Sequence, residues 1–399
     1  MGKKRRQIIL IIFELIVIAG IALFLFLNIQ NRKRIPQPIQ KSVQSTGVSA
    51  TAVDSDVIEH YEKPTYSNIL LVGLDARNQA EMRHTNSDTV IIASINNLNG
   101  AIRMVSIYRD TLLNIEGKDS EKIQTLKNTE EISDEPSDYR IGRYDKINAA
   151  YANGGIEQLI SAVQDNLDIE IDDYIVVNFS AVAEAIEELG GIDVWMTKQE
   201  IVHMNNYCVE TSDVTGMDYE PIEPDEEARE YHLNGVQAVS YARIRYTAGS
   251  DMKRTQRQRV VIQKVADKLK ESAASTAKAI VMNVLPNCLS SIPYIDLASY
   301  AANASDYTLE QTTGFPFVHI EKNCAPNGPQ IDPVIPVTLE TNVEELHKFL
   351  FNEEHVPSLL VRTFSYGIKE LSGITELSMD SALQNSVIQD SGGEADIVG

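Results

Sequence analysis

DDYIVVNFSAVAEAIEELGGIDVWM, residues 172–196, carries the pattern from which the fold follows. Residues 172–179 form a short β-branched apolar run, the mark of a buried strand. Residues 180–191 then read as a helix, with Ser180 as its expected N-cap and Gly190 and Gly191 past its last turn. IDVWM, 192–196, returns to strand text. Strand, helix and strand within one short stretch is the building unit of an α/β protein.

The same alternation extends in both directions. NILLVGL (68–74) and TVIIASIN (89–96) are buried-strand runs, and AIRMVSIY (101–108) follows the turn NLNG (97–100), which predicts an antiparallel hairpin. A helix begins near Gly155, with Ile156, Leu159, Ile160, Val163 and Leu167 on one stripe. Toward the C-terminus, 254–273 reads as a helix, 333–342 as strand-like and 343–352 as helix-like. Two polar stretches, 114–143 and 198–231, read as exposed excursions. Strands, helices and a hairpin together predict a three-layer α/β/α sandwich over a mixed central sheet. Residues 67–353 make one domain, and a domain of that size buries about 75% of its unfolded surface.

The ends of the chain read differently. Lys3, Lys4, Arg5 and Arg6 precede an apolar run over 8–27 whose one charge is Glu14. Twenty residues at ~1.5 Å rise span a ~30 Å hydrocarbon core, and the leading cations favour a cytoplasmic N-terminus. The expectation is an uncleaved signal-anchor: a cytoplasmic stub over 1–7, a transmembrane helix over 8–27, and a single-pass cell-membrane protein with its domain outside. Residues 28–66 read as a flexible stalk, and 354–399 as a C-terminal extension, partly disordered.

The whole chain carries a formal charge of −22; its first 34 residues net +6, which leaves −28 for the remainder. So acidic a surface excludes nucleic acid as a partner, since that binding rests on a broad basic face. Cys208, Cys288 and Cys324 show no zinc spacing, and an oxidising exterior permits one disulfide, for which Cys288–Cys324 is the expected pair.

Against that acidic background, RIRYTAGSDMKRTQRQR (243–259) gathers six cations with one acid, Asp251. Arg243 and Arg245, two apart, share a face if this is strand; Arg254 and Arg257, three apart, share a face of the helix that starts here. Arginine forks match phosphate oxygens in pairs, and several together suit a pyrophosphate. Three more clusters fall at strand ends: Asp75 and Arg77 in GLDAR, Asp88 in NSDT, and Arg109 in YRDT. Two carboxylates on one rim suit magnesium or manganese, which take oxygen ligands. The competing reading is bland: Asp88 as a turn cap, Asp75 and Arg77 as a surface pair worth under ~1 kcal/mol.

These residues carry a resemblance. NILLVGLDAR, NSDTVIIASIN, VSIYRDT, KINAAYANGG, YIVVNFSAVAEAIEELGGIDV, LNGVQAVSYARIR and DMKRTQRQR are similar to signatures of the LytR-CpsA-Psr family, in order over about 68–272. The resemblance implies an envelope phosphotransferase. Such enzymes move a teichoic acid, capsular or other wall polysaccharide from undecaprenyl pyrophosphate to peptidoglycan, through a phosphodiester at a muramic-acid hydroxyl. It implies an α/β/α sandwich with an apolar prenyl tunnel, expected beside Arg109 between the sheet and the helices near 155–167 and 254–273. It also implies magnesium on Asp75 and Asp88. Arg77, Arg109, Arg243, Arg245, Arg254 and Arg257 would surround the pyrophosphate, and Asp75 would help deprotonate the sugar hydroxyl. Tyr108 stands where the family often has proline, and Arg259 is expected to point away from the site. Two other functions compete: a hydrolase using water on the same carrier, and a non-catalytic polyprenyl-phosphate-binding protein.

Overall fold

Alternate side chains of the central strands pack on opposite helical layers. This computed structural model describes residues 65–76, 82, 85–116, 123, 125, 141–245 and 250–375. The strands are β1 (Tyr66–Leu74), β2 (Ser87–Asn96), β3 (Ala101–Ile107), β4 (Leu112–Asn114), β5 (Tyr144–Lys146), β6 (Asp173–Asn178), β7 (Ile192–Met196), β8 (Arg229–Leu233), β9 (Leu289–Ser290), β10 (Thr308–Phe315), β11 (His319–Glu321) and β12 (Val334–Pro336). The helices are α1 (Asn148–Leu167), α2 (Phe179–Glu188), α3 (Lys198–Thr215), α4 (Gly235–Arg243), α5 (Ser250–Glu271), α6 (Ala274–Asn283), α7 (Tyr294–Ala302), α8 (Leu339–Phe351) and α9 (Leu359–Ser372).

Six strands form the main sheet in the order β10-β3-β2-β1-β6-β9. β1 pairs antiparallel with β2 and parallel with β6, so the sheet is mixed. The hairpin of β2 and β3 forms as read, Val90 opposite Ile107. Gly100 closes its turn at φ +73, and a Cβ there would lie 2.1 Å from the Asp306 carbonyl oxygen, so no other residue fits.

Period-two alternation divides the sheet into two faces. Leu70, Val72, Leu74, Val90, Ile92, Val105 and Val176 pack against α1, α8 and α9. The opposite face carries Ile91, Ala93 and Met104 under Ile262 of α5, and Ile69 and Ile95 under Leu297 of α7. The three-layer sandwich over a mixed sheet is therefore observed. A satellite core joins α2, α3, α4, β7, β8 and α5 through Ile186, Ile192, Ile201, Met204, Leu233 and Val261.

Several expectations are corrected. IDVWM does form a strand, but it pairs with β8 in a two-stranded ribbon outside the main sheet. The helix after β6 is capped two residues early, by the Asn178 side chain accepting from Ala181 N, not by Ser180. α1 begins at Asn148, and the glycines at 154 and 155 kink it where a start was expected. The 198–231 excursion contains α3, an 18-residue helix. Arg243 ends a helix, so Arg243 and Arg245 do not share a strand. All three cysteines are buried free thiols, so no Cys288–Cys324 bond joins them. α9 lies beyond residue 353, and its Leu360, Val361, Phe364 and Ile368 belong to the main core.

The membrane expectation is corrected too. No helix among the described residues is long and apolar enough to cross a membrane. The longest, α5, is charged along its length, and the others are shorter and turn one face to a core. The signal-anchor over 8–27 lies outside the described residues, as does the stalk up to residue 64. The described residues therefore contain no transmembrane helix of the kind on which the expected single-pass localisation and membrane attachment rested.

One clamp ties the C-terminal helices to α1. Asp168, at φ 52, accepts from Ser358 N and Oγ, each at 2.7 Å, and from His355 Nε2 at 3.1 Å. His347 stacks on His355 with ring centroids 3.7 Å apart, and its Nε2 donates to the Leu167 carbonyl at 2.9 Å. Burial holds the His347 imidazole below the ordinary histidine range, and burial does the same to His319. The unfolded chain, titrating near ~6.5, therefore binds more protons than the fold as pH drops through that value, and stability falls. Thermal melts should show a lower Tm at pH 5.5 than at pH 7.5, in a window above most carboxylate titration. His347→Gln, which can still donate to Leu167, should show a smaller acid-induced drop; an unchanged drop would show that His347 contributes nothing to it.

Candidate active site

The parallel strands β1 and β6 end at one edge of the sheet, where β2 begins and β3 ends. Asp75 stands just past β1, Asp88 is the second residue of β2, and Arg109 lies two residues past β3. The helical layer brings the remaining groups. α4 ends at Arg243, the chain passes through Ile244 to Arg245, and α5 supplies Arg254.

Asp88 is the centre of this rim. Its Oδ1 takes Arg109 Nη1 at 2.6 Å, with Arg245 Nη2 at 3.5 Å and Arg254 Nη1 at 3.8 Å. Arg254 Nη2 also donates to the Asp88 carbonyl oxygen at 3.2 Å. Arg254 is only 2% exposed, so a full positive charge is held inside the protein beside Asp88. Arg243 stands alongside. It reaches Glu210 at 3.0 Å and Thr211 Oγ1 at 3.1 Å, with its guanidinium over the rings of Phe179 and Tyr207. Burial at the rim raises the Asp75 carboxyl above its ordinary range; Arg243 opposes that, while Asp88 and Glu210 add to it.

The sequence-predicted residues thus divide. Asp75, Asp88, Arg109, Arg243, Arg245 and Arg254 come together at one rim. Arg257 turns to Glu200, Nε to Oε1 at 2.9 Å, and its Nη1 donates to the Ile244 carbonyl at 3.3 Å. Arg259 turns toward the Tyr108 phenol, and burial lowers its guanidinium pKa from the ordinary range. Arg77 lies outside the described residues.

Behind the rim a cavity of about 400 Å³ runs between the sheet and the helical layer. Its floor is Leu71, Ile91, Ile175 and Val177, the outward-alternating residues of β1, β2 and β6; Val182, Val239, Val261 and Ile262 roof it, while Asp75, Asp88, Arg243, Arg245 and Arg254 stand at the same cavity. A cavity lies between sheet and α5 as expected, but Arg109 is not among its lining residues and stands beside it only through Asp88. The helix over 155–167 does not line it, because α1 packs on the other face of the sheet. Tyr207 and Glu210 were missed as lining residues because α3 was read as an excursion. The signal was there: Thr197 and Glu200 in TKQE form a capping box, which announces a helix start.

Could the rim hold a divalent ion? Among the described residues no group of three or more His, Cys, Asp or Glu has metal-binding geometry. Magnesium, however, is commonly held by one or two carboxylates plus substrate phosphates. Asp75 and Asp88 are neighbours with hard oxygen donors, the Asp88 charge adding to the rise of the Asp75 carboxyl, and a cation between them would relieve that repulsion. The donor set fits.

An apolar cavity opening at a cluster of guanidinium groups has the chemistry to suit an amphiphile with a strongly anionic head. Comparison with known proteins agrees with the sequence resemblance: residues 32–319 match the model of the LytR_cpsA_psr family, and the chain belongs to that family. It is 27% identical over 288 residues to the polyisoprenyl-teichoic acid–peptidoglycan teichoic acid transferase TagU of Enterococcus faecalis, covering 71% of this chain and 81% of that one. It is 31% identical over 222 residues to biofilm regulatory protein A of Streptococcus mutans, covering 55% of this chain and 47% of that one. Among solved structures, protein gbs0355 of Streptococcus agalactiae superposes with a TM-score of 0.57 at 25% identity, covering 74% of this chain and 91% of that one.

If the cavity takes an apolar chain, filling it should block that chain without harming the fold. Val177→Phe should weaken binding of farnesyl pyrophosphate about tenfold, the equivalent of ~1.4 kcal/mol, and leave Tm unchanged or raised, since the added ring fills space. Fluorescence competition and a thermal melt measure both. Unchanged affinity would place the chain elsewhere.

Proposed function

We propose that this protein transfers a glycopolymer from a polyprenyl pyrophosphate carrier to a hydroxyl of peptidoglycan, leaving the polymer in phosphodiester linkage. The observation that carries the reading is the joining of Arg243, Arg245 and Arg254 to one apolar cavity, with Arg109 held beside them on Asp88. The family and the name of the Enterococcus faecalis relative support the transfer class.

The chain's own residues assign the roles. The prenyl tail occupies the cavity, which leaves the pyrophosphate at the rim. Arg109, Arg245 and Arg254, already converged on Asp88, exchange part of that contact for phosphate oxygens, and Arg243 does the same from Glu210. The acceptor hydroxyl forms a new bond to the polymer-side phosphorus as the bridging phosphoanhydride bond breaks. Prenyl phosphate leaves with the electron pair, and the hydroxyl proton passes to Asp75. Phosphoryl transfer asks for positioning and charge neutralisation more than for covalent chemistry, and guanidinium groups supply both. Asp75 and Asp88 would hold magnesium or manganese, whose charge would help neutralise the pyrophosphate oxygens.

A proton acceptor of raised pKa is better matched to neutral-pH catalysis than an ordinary aspartate. Asp75 is itself exposed at the mouth of the cavity, open to a hydroxyl acceptor arriving from outside.

The test is turnover of a prenyl-pyrophosphate-linked saccharide by the full chain, with and without a peptidoglycan acceptor. Linked product should form only with the acceptor; free saccharide phosphate formed at the same rate without it would make the protein a hydrolase instead. Arg109→Ala should slow transfer by about one to two orders of magnitude, the loss of one or two charge-assisted hydrogen bonds. Arg109→Lys should recover only part of that, since lysine keeps the charge and loses the fork. Asp75→Ala and a chelator should each abolish transfer while the fold melts near wild type; Asp88→Ala should abolish it and also lower Tm, since it takes the carboxylate from beside the buried Arg254. Full activity after chelation and in both variants would make the carboxylates structural.

A further inference from the structure

Arg257 belongs to the arginine cluster by sequence, yet it faces a different set of atoms. It lies one turn past Arg254 on α5 and is 7% exposed at its side chain. Its Nε donates to Glu200 Oε1 at 2.9 Å and its Nη1 to the Ile244 carbonyl at 3.3 Å. Its guanidinium lies 5.9 Å from the centre of the Tyr241 ring. Ile244 is the residue between Arg243 and Arg245, and its side chain is fully buried in the satellite core.

Glu200 has two tasks. Oε2 accepts from Thr197 N at 3.1 Å and Thr197 Oγ1 at 3.0 Å, closing the cap of α3, while Oε1 accepts from Arg257. A continuous chain of contacts therefore runs from the start of α3, through Arg257, to the carbonyl of Ile244, in the peptide that joins Ile244 to Arg245. At Ile244 the backbone leaves the helix, at φ −58 and ψ 126. A carbonyl at such a corner has no helical partner of its own, and a fixed external donor is what holds the peptide plane.

We infer that Arg257 is a positioning residue for the pyrophosphate rim: it orients the Arg243–Ile244–Arg245 corner through the Ile244 carbonyl and is itself held by Glu200. This rests on the rim being the pyrophosphate site, and it takes Arg257 out of the set that touches the ligand. It also gives α3 a part in that site, through its first turn.

The experiment is calorimetric binding of inorganic pyrophosphate, with magnesium present, to the full chain. Arg257→Ala should weaken binding about five- to tenfold in the wild-type background, the effect of one charge-assisted hydrogen bond. In an Arg243→Ala/Arg245→Ala background the same substitution should cost less than about twofold, because the groups it positions are gone; this is the non-additivity of coupled residues. Arg254→Ala should keep its own cost in both backgrounds. Arg257→Lys, which keeps the charge opposite Glu200 and loses the second arm, should show the same pattern and serves if the alanine variant does not fold. An equal cost of Arg257→Ala in both backgrounds would mean that Arg257 touches the anion directly, and no cost in either that it only braces α3; each overturns the inference alone. Wild-type binding no tighter than that of Arg243→Ala/Arg245→Ala would overturn the rim as the anion site, and the positioning role with it.

Discussion

The Asp88 carboxylate makes the rest of the rim possible. Two like unit charges ~5 Å apart repel by about 3 kcal/mol at an effective dielectric of ~20. Arg109, Arg245 and Arg254 could not stand together at the end of a sheet without a counter-charge among them. Asp88 is placed for this by the start of β2, and Arg254 needs it most, being almost wholly buried. One carboxylate does not balance three guanidinium groups. Asp110 Oδ1 lies 3.8 Å from Arg109 Nε, and Asp75 and Glu210 face Arg243, so four carboxylates stand against the four arginines of the rim. With these charges near balance, a divalent ion on Asp75 and Asp88 would give the rim the positive excess that a pyrophosphate calls for.

The apolar cavity depends on the same sheet edge. Strand residues facing α1, α8 and α9 are sealed: Leu70, Leu74, Ile92 and Val176 have no exposure at all. Their alternates on the other face, Leu71, Ile175 and Val177, are only half-buried, because α2, α4 and α5 stand off and leave a hole. A core of this size packs without voids where nothing prevents it. An apolar gap of about 400 Å³ under a charged rim is thus better read as a ligand site than as a packing fault.

Much of this was legible in the sequence, for identifiable reasons. Asp75, Asp88 and Arg109 were found because β-branched runs end sharply at 74, 89 and 108, and strand ends of an α/β sheet meet at one edge. Arg254 was found because the helix start is marked by its own charge pattern. Other features depend on contacts far apart in sequence. Nothing in IDVWM tells it to pair with residues 229–233 instead of joining the main sheet. The stripe of 155–167 shows an apolar face without saying which side of the sheet it takes. α3 buries only Ile201, Met204, Cys208 and Thr211, a stripe diluted by so many polar residues that the segment reads as a loop. Arg257 has the spacing of a ligand-facing partner to Arg254, and only Glu200 and the Ile244 carbonyl, 57 and 13 residues away, turn it aside.

That distinction separates two ways in which the chain supports the rim. α3 holds Tyr207 and Glu210 against the cavity, Thr211 against Arg243, and Glu200 against Arg257. It touches the apolar wall, Arg243 directly, and through Arg257 the corner between Arg243 and Arg245, without contributing to the main sheet. Its capping box and the left-handed Gly216 at its other end fix both termini, so it moves as a unit if it moves at all. A change in α3 therefore reaches the reaction through the direction of Arg243 and Arg245, whereas Asp75, Asp88 and Arg109 answer only to the strands that carry them. The rim is built from two supports: a sheet edge that fixes the carboxylates, and a helical insertion that aims the cations toward them.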